Sequence, residues 1–282
     1  MIAFLGTGLI GTGFVRAMRR RGEEVHVWNR SPAKARALEG DGARAFDDPA
    51  GAVRGASRVH LSLSDDAAVD DVLERARPGL GKDAVLVDHT TTSPTGTVAR
   101  AARWQERGVP FLHAPVFMGP QNALEGTGVM LASGDAARYE ALARALAKMT
   151  GKVVYLGPQV DRAAQFKLLG NLFLMFLTTG VADLFALAKA FGVTPSEAAS
   201  LFEHFNPGAT IAARAKRMME SASGQASWEL SMARKDARLM LEEAERAGGR
   251  LAVLPAIAAE MDRWIQRGHG HDDWTVVGRD SI

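Results

Sequence analysis

The stretch Ile2-Ala3-Phe4-Leu5-Gly6-Thr7-Gly8-Leu9-Ile10-Gly11 decides how the rest of this chain is interpreted. Its first four residues are apolar and predict a short buried strand, and apolar residues at helical spacing follow the glycines. A strand that ends in Gly-x-Gly-x-x-Gly and continues into a helix is typical of a dinucleotide-binding turn. The alternative is a glycine turn in another kind of α/β protein.

The three glycines of this turn have different predicted roles. Gly6 would form the tight turn, Gly8 would let the backbone approach a pyrophosphate, and Gly11 would let the helix pack against the strand. The amides at the start of the helix would face the phosphates, where the helix dipole favours an anion. The predicted cofactor contacts of the turn are Gly6, Thr7, Gly8, Leu9, Ile10 and Gly11.

The end of the second predicted strand, residues 24–28, indicates which dinucleotide is bound. An NAD site would place Asp or Glu there to accept hydrogen bonds from the adenine ribose. This chain instead has Asn29, Arg30 and Ser31, with Lys34 one turn further on. Because a guanidinium, a hydroxyl and an ammonium suit a dianionic 2′-phosphate, we predict NADP(H) as the cofactor. An exposed arginine in an ordinary turn is the alternative.

Composition excludes several classes of protein. The chain has 282 residues, 47% apolar and 23% charged, with a formal net charge of +2 and no cysteine. These values are ordinary for a globular protein with two domains, and the small basic excess does not indicate a nucleic-acid partner. The lack of cysteine excludes disulfides, cysteine-ligated zinc and a thiol nucleophile. Because the first strand starts at residue 2, no signal peptide is expected and a cytoplasmic location is predicted.

Apolar strand patterns alternate with helical patterns in the first half of the chain, at 58–63, 67–75 and 84–88. This alternation predicts a doubly wound α/β (Rossmann) domain, with ligands at the carboxyl ends of its strands. The polar residues at those ends include Leu63-Ser64 and a threonine run that contains Thr91. That run either caps the helix beginning at Pro94 or contacts the cofactor. We predict that this NADP-binding domain comprises residues 1–158.

Residues 159–282 are predicted to form an all-α domain for substrate binding and dimerisation. One helix is expected over 161–191, and its apolar residues lie nearly all round it, which predicts burial and a homodimer interface. Its most apolar part, residues 172–181, is too short to span a bilayer, so no membrane partner is expected. Thr194 is the predicted N-cap of the next helix. Further helices are predicted over 211–221, 231–247 and 255–267.

The last part of the chain, from Gly268, is polar and is predicted to be a flexible tail. Its segment His269-Gly270-His271-Asp272-Asp273 contains possible metal ligands, but the spacing matches no helix-borne ligand pair. We therefore predict no metal site.

Lys167 and Asn171 are four residues apart on the long predicted helix, hence on one face. Their neighbours are apolar, and burial of a lysine among apolar residues is costly. The side chain therefore either reaches out to solvent or lies in the cofactor cleft. In the cleft its ammonium could donate a proton to a carbonyl oxygen as hydride arrives at the carbon.

Taken in order, these motifs and the pair Lys235-Asp236 resemble the β-hydroxyacid dehydrogenase family over nearly the whole chain. That family includes 3-hydroxyisobutyrate dehydrogenases and semialdehyde reductases, and imine reductases are its relatives. The resemblance implies a Rossmann domain followed by a helical dimerisation domain. It also implies that Lys167 is the catalytic lysine, that Asn171 is the motif asparagine beside it, and that Thr91 and Lys235 contact the cofactor.

The substrate motif departs from the family pattern. Where the family has Asp-Ala-Pro-Val-Ser-Gly-Gly, this chain has His-Ala-Pro-Val-Phe-Met-Gly at 113–119. Phe117 and Met118 replace the small residues that help to bind a substrate carboxylate, so a less polar substrate is predicted. Residues 117–123 are predicted to form a long loop that contains glycine and proline, and loops near strand ends often contact substrate. The predicted substrate contacts are Pro115, Val116, Phe117, Met118 and Gly119.

The predicted function is therefore NADPH-dependent hydride transfer with a small carbonyl or hydroxyl substrate, such as a semialdehyde, keto acid or β-hydroxyacid. Imine reduction is the main alternative, although imine reductases usually have Asp or Tyr in place of the lysine. An NADP-binding protein without turnover is the other alternative.

Overall fold

The computed structural model describes residues 1–220 and 226–282. The chain divides into two compact units, Met1–Leu172 and Phe173–Ile282. The domain boundary after residue 158 stays a prediction. Ser221, the predicted last residue of one helix, lies outside the described residues.

The first unit is built on a six-stranded sheet in which all neighbouring strands are parallel. In chain order its strands are β1 (Ile2–Leu5), β2 (Val25–Trp28), β3 (Arg44–Ala45), β4 (Arg58–Leu61), β5 (Val85–Asp88) and β6 (Phe111–His113). In space the order is β3-β2-β1-β4-β5-β6. The strands from β1 to β3 follow one another toward one edge of the sheet and those from β4 to β6 toward the other, so the strand order reverses between β1 and β4. This is the switch point at which such folds bind ligands, and the predicted doubly wound domain is confirmed.

Seven helices belong to the first unit: α1 (Leu9–Arg20), α2 (Pro32–Arg36), α3 (Pro49–Val53), α4 (Asp66–Ala76), α5 (Pro94–Glu106), α6 (Pro120–Glu125) and α7 (Ala136–Ala147). Alternate residues of β1 belong to different hydrophobic clusters. Ile2 and Phe4 pack in one cluster, whereas Ala3 and Leu5 pack in the other. Because successive side chains of a strand point to opposite faces, both faces of the sheet are covered.

A second sheet of three strands corrects the prediction of a long loop over Phe117–Ala123. Its strands are β7 (Val116–Phe117), β8 (Val129–Ala132) and β9 (Lys152–Tyr155), in that spatial order. Phe117 pairs with Val129 in an antiparallel register, so it belongs to a strand. The Asn122 side chain accepts a hydrogen bond from the Gly119 amide at 2.9 Å, and this contact starts α6 where a loop was expected.

The second unit contains helices in its described residues and no sheet. The helices that follow the first unit's sheets are α8 (Arg162–Ala190), α9 (Pro195–His204), α10 (Ile211–Met219), α11 (Leu230–Arg246) and α12 (Leu254–Gln266). The start of α8 belongs to the first unit and the rest to the second. The predicted cap of α9 is confirmed, because Thr194 and Glu197 bond reciprocally to each other's amides.

The prediction that α8 is buried is wrong for the single chain. Leu169, Met175 and Phe176 are 60%, 66% and 56% exposed. The rest of the chain supplies too little surface to cover an element that is apolar nearly all round. The whole helix has 29 residues, and an 18-residue stretch of it has a mean hydropathy of 1.7, so it is long and apolar enough to cross a membrane. The length argument made from residues 172–181 therefore does not apply to it.

The prediction of a flexible tail is also wrong. A 3₁₀ helix spans Trp274–Ser281, and Val276 is buried in the hydrophobic cluster of the second unit. Burial alone would raise the pKa of Asp273, but hydrogen bonds from Ser227 and Thr275 outweigh it and hold that pKa well below its usual range. Across 1–220 and 226–282, no group of three metal-ligating side chains is close enough to hold an ion.

Candidate functional site

The glycine turn after β1 is shaped by close packing. Gly6 has φ +99°, and a Cβ on it would lie 2.2 Å from the carbonyl oxygen of Ser62. A Cβ on Gly11 would lie 2.0 Å from the carbonyl oxygen of Gly6, so α1 packs against the turn only without a side chain there. A Cβ on Gly8 would meet no atom within 4 Å. The turn is therefore open at Gly8, where a ligand's phosphate could approach the backbone and the first amides of α1.

Asn29 connects the end of β2 to the glycine turn. Its side-chain oxygen accepts a hydrogen bond from the Thr7 amide at 3.0 Å. Its side-chain nitrogen donates to the carbonyl oxygen of Ser31 at 3.1 Å. The side-chain amide of Asn29 thus holds the glycine turn and the residues after β2 in one arrangement.

These elements surround a cavity of about 430 Å³ at the carboxyl ends of β1, β2 and β4. The predicted cofactor residues that line it are Gly6, Gly8, Leu9, Ile10, Asn29, Arg30, Ser31, Lys34, Leu63 and Ser64. Thr7 and Gly11 do not line it; they position the turn. The cavity matches a dinucleotide in chemistry, because it joins an open phosphate-binding turn to a basic strand tip.

Sequence reasoning missed one wall of this cavity. The additional lining residues are Trp28, Ser62, Ala68, Asp71, Val72 and Arg75. The Arg75 guanidinium lies over the Trp28 ring, 5.1 Å from its centroid, and 3.5 Å from the Asp71 carboxylate. Ala68, Asp71, Val72 and Arg75 occupy positions i, i+3, i+4 and i+7, so they share one face of α4. This helical spacing is the sequence signal from which that wall of the cavity could have been predicted.

Residues of the threonine run and its neighbours have different structural roles. Ser93 caps α5, because its hydroxyl accepts from the Gly96 amide at 3.0 Å. The Thr90 hydroxyl accepts from the Leu63 amide at 3.0 Å and so supports the cavity wall. Thr91 is exposed and does not line the cavity. Its contact with the cofactor stays a prediction.

A buried polar network lies beneath the strand ends. His60 and His89 share a hydrogen bond of 2.9 Å, and the other ring nitrogen of His89 donates to the carbonyl oxygen of Ala114 at 2.7 Å. Burial lowers the pKa of His89 to about 4, and burial likewise lowers the pKa of His60 and His113. The rings are therefore neutral at pH 7, and His89 anchors the segment that leaves β6.

Lys167 is buried, with only 8% of its surface exposed, which excludes the alternative that its side chain reaches out to solvent. Its Nζ donates to Oδ1 of Asn171 at 2.9 Å and lies 4.1 Å from the centroid of the Phe117 ring. Burial lowers the pKa of Lys167. The start of α8 is fixed by Ser133, whose hydroxyl accepts from the Ala163 amide at 2.9 Å.

The predicted substrate segment, residues 115–119, contacts Lys167 through the Phe117 ring. Val116 is buried and pairs with Met130, and the Pro115 carbonyl accepts from the Leu131 amide, so β8 holds the segment. Met118 and Gly119 follow, half-buried. Residues 115–119 and Lys167 do not line the cavity of the glycine turn. The structure thus brings Lys167, Asn171 and Phe117 together as a separate group.

Lys235 belongs to the second unit. It is exposed on α11, and its Nζ lies 2.9 Å from Oδ1 of Asp236. Its contact with the cofactor stays a prediction.

The sequence profile described as the NAD binding domain of 6-phosphogluconate dehydrogenase matches residues 1–157, the part of the chain that forms the parallel sheet and the glycine turn. The chain belongs to this family. The protein is a nicotinamide-dependent oxidoreductase, and its chemistry is hydride transfer.

Known relatives include reductases of two kinds. Glyoxylate/succinic semialdehyde reductase 2 of Arabidopsis thaliana is 27% identical over 279 residues, which cover 96% of this chain and 76% of that protein. The Streptomyces aurantiacus imine reductase is 27% identical with a TM-score of 0.88, over 100% of this chain and 99% of its own. These matches confirm the predicted resemblance to the β-hydroxyacid dehydrogenases and their imine reductase relatives.

The fold is also that of the imine reductase from Myxococcus stipitatus. Its complex with NADP⁺ has 22% identity and a TM-score of 0.89, with 100% of both chains covered. A V8 variant of that enzyme in complex with NAD⁺ has 21% identity and a TM-score of 0.86, over 100% of this chain and 99% of its own. The Rossmann domain followed by a helical region is thus confirmed.

Proposed function

We propose that this protein is an NADP(H)-dependent reductase of small carbonyl compounds in which Lys167 donates the proton. The observation that supports this most directly is the buried Lys167 ammonium, 2.9 Å from Asn171 at the start of α8. A nicotinamide bound at the glycine turn would supply the hydride. The protein's part is to bind and orient the reactants and to deliver the proton to the carbonyl oxygen.

Three features of Lys167 suit proton donation. An ammonium has three N–H donors, and Asn171 accepts from one of them, which restricts the side chain to one orientation. The Phe117 ring covers a second side, leaving donor capacity for one substrate oxygen. Burial lowers the pKa of Lys167 toward the working pH, and this makes the ammonium a better acid.

The preference for NADP(H) rests on charge at the tip of β2. Arg30, Ser31 and Lys34 line the cavity there, and no carboxylate follows the strand. The carboxylate that does line the cavity, Asp71, is on α4 and lies 3.5 Å from Arg75. A 2′-phosphate would therefore meet cations where an NAD site would present an acceptor.

Substrate class is proposed from the segment 115–119, which has no charged side chain. We propose a semialdehyde, keto acid or related carbonyl compound as the substrate, with the less polar members preferred. Reduction of cyclic imines is the second candidate, favoured by the apolar Phe117 ring beside Lys167.

One experiment separates these candidates. The purified protein is mixed with NADPH or NADH, and cofactor oxidation is followed with butanal, succinic semialdehyde and 1-pyrroline as probes. Faster oxidation of NADPH with either aldehyde supports the proposal, and oxidation with 1-pyrroline alone supports imine reduction. Tight NADPH binding without oxidation by any probe would contradict the proposal.

We also propose a homodimer in which the partner covers the exposed apolar side chains of α8. The second unit supports this with an apolar groove of about 670 Å³ beside the same helix. Its lining includes Phe176, Leu187, Met240 and Ile257. Contiguous apolar surface of this kind marks an interaction site, and a second copy of the chain is always present to fill it.

A further inference from the structure

Phe117 and Gly170 form a matched pair around Lys167. A Cβ built on Gly170 would lie 2.3 Å from Cζ of the Phe117 ring and 2.7 Å from its Cε1. The ring therefore lies directly on the helix at the position where a side chain is missing. Lys167, Gly170 and Asn171 are three and four residues apart, so the ring, the ammonium and the amide share one face of α8.

The ring also contacts the charge. The Lys167 Nζ lies 4.1 Å from the ring centroid, within the range of a cation–π interaction. The ammonium is largely removed from water, so the ring face and the Asn171 oxygen replace part of its lost hydration. An aliphatic side chain of similar bulk would keep water out equally well but would offer no negative face to the cation.

We propose that Phe117 is a positioning residue, which uses its ring to hold the Lys167 ammonium in place, and that Gly170 is the recess that this ring requires. The proposal rests on the proposed role of Lys167 as proton donor. It assigns a specific purpose to the aromatic ring of Phe117. It also explains why a glycine occupies the middle of a long helix, where glycine is unfavourable.

The test uses four variants: Phe117→Leu, Phe117→Tyr, Gly170→Ala and the double variant Phe117→Leu/Gly170→Ala. Leucine keeps the apolar bulk and removes the ring, whereas tyrosine keeps the ring. Two quantities are measured. One is the pKa of Lys167, from the Cε resonance of lysine-labelled protein, assigned by its loss in Lys167→Met. The other is the pH profile of kcat with the probe that is reduced fastest.

Loss of the ring should lower the pKa of Lys167 by about one unit, because the charged form loses its cation–π partner. It should also lower kcat by about tenfold, because an ammonium that the ring no longer holds in place is poorly oriented for proton transfer, and this outweighs its greater acidity. Gly170→Ala should do the same by displacing the ring. The double variant should be no worse than Phe117→Leu alone, since the added methyl group then has nothing to displace. Phe117→Tyr should retain the parent values.

Several outcomes would overturn the proposal. An unchanged Lys167 pKa and kcat profile in Phe117→Leu would show that the ring only fills space. Effects of the two single variants that add in the double variant would show that Gly170 acts independently of the ring. If Phe117→Leu does not fold, the Gly170→Ala variant alone tests the proposal. A Lys167 pKa in Gly170→Ala equal to that of the parent protein would then contradict it.

Failure of the proposed function is recognised separately. Full turnover in Lys167→Met would mean that Lys167 is not the proton donor, while the resonance would still report whether the ring holds the ammonium. Lost turnover in Lys167→Met together with parent-like Phe117→Leu would reject the positioning role and retain the donor.

Discussion

At the scale of single residues, burial decides what a charge can do. Lys167 and Arg30 are both cations near strand ends, but Lys167 is buried against a ring and an amide whereas Arg30 is exposed. The buried ammonium is restrained and its pKa is lowered by burial, which suits proton transfer. The exposed guanidinium suits recognition of a phosphate, with a smaller free-energy effect because water and salt screen it.

Replacement of Lys167 by methionine keeps the length of the side chain and removes its proton. We expect kcat to fall by roughly 10²- to 10⁴-fold with a carbonyl substrate, because the general acid is lost. NADPH affinity, measured by titration, should change little, since Lys167 does not line the cavity of the glycine turn. Lys189→Met, on an exposed part of the same helix, is the matched control. Parent-like turnover in Lys167→Met would contradict the assignment.

Replacement of Arg30 by aspartate tests the choice of cofactor. The variant removes an attractive charge and adds a repulsive one, so NADPH affinity should fall by about tenfold or more at low salt. NADH affinity should change less, because NADH has no 2′-phosphate. Arg36→Asp makes the same charge change on α2 outside the cavity and serves as control. Equal affinities of the parent protein for NADH and NADPH would refute the preference.

At the scale of elements, β7 determines what lies next to Lys167. The strand pairs with β8 and so fixes the direction in which Phe117 projects. A small residue at this position would leave the space beside Lys167 open. Here the aromatic ring takes up that space and offers apolar surface to a substrate, while Met118, which follows β7, packs against the hydrophobic cluster of the first unit.

The double variant Phe117→Ser/Met118→Gly tests this reading of β7. We expect the ratio of kcat/KM for succinic semialdehyde to that for butanal to rise by about tenfold, because a hydroxyl and accessible amides favour an anion. The ratio cancels any general loss of turnover caused by removal of the ring. A ratio equal to that of the parent would mean that specificity is determined elsewhere.

Three histidines are buried near the carboxyl ends of β4, β5 and β6, and their burial predicts that acid destabilises the folded protein. Burial lowers the pKa of His60, His89 and His113 in the folded protein, for His89 to about 4. The unfolded chain therefore binds more protons as the pH falls below about 6.5, and the free energy of unfolding decreases in that direction. Each histidine contributes at most about 1.4 kcal/mol per pH unit within its window.

The variant His60→Phe should therefore reduce the pH dependence of the unfolding free energy. We expect the slope between about pH 6 and 5 to fall by about 1.4 kcal/mol per pH unit, whatever the stability at pH 7. Urea unfolding at several pH values measures it. Asp88 acts in the opposite sense, because burial raises its pKa, but it is present in both proteins and its contribution cancels when the two slopes are compared. An unchanged slope would show that His60 is not buried in the neutral form.

At the scale of the whole molecule, the apolar surface of α8 predicts assembly. Leu177 is 54% exposed on this helix, and its replacement by lysine should convert a dimer into a monomer in sedimentation equilibrium. Val98→Lys is the matched control, since Val98 is 45% exposed on α5. A parent protein that sediments as a monomer would contradict the proposed homodimer.

The sequence by itself determined the features that depend on neighbouring residues. The glycine turn, the alternation of strands and helices, the extent of α8 and the Thr194 cap were all predicted, because each depends on spacing within about ten residues. The residues that line the dinucleotide cavity directly after β1 and after β2 were predicted for the same reason: a motif places them at fixed positions along the chain.

Only the tertiary structure decided which distant side chains meet. Phe117 and Lys167 are far apart in sequence, and nothing in either segment indicates that the ring covers the ammonium or that Gly170 makes room for it. The burial of Val276 and the exposure of α8 have the same origin. An apolar pattern shows that a residue favours burial, but whether it is covered depends on the surfaces that the rest of the fold brings against it.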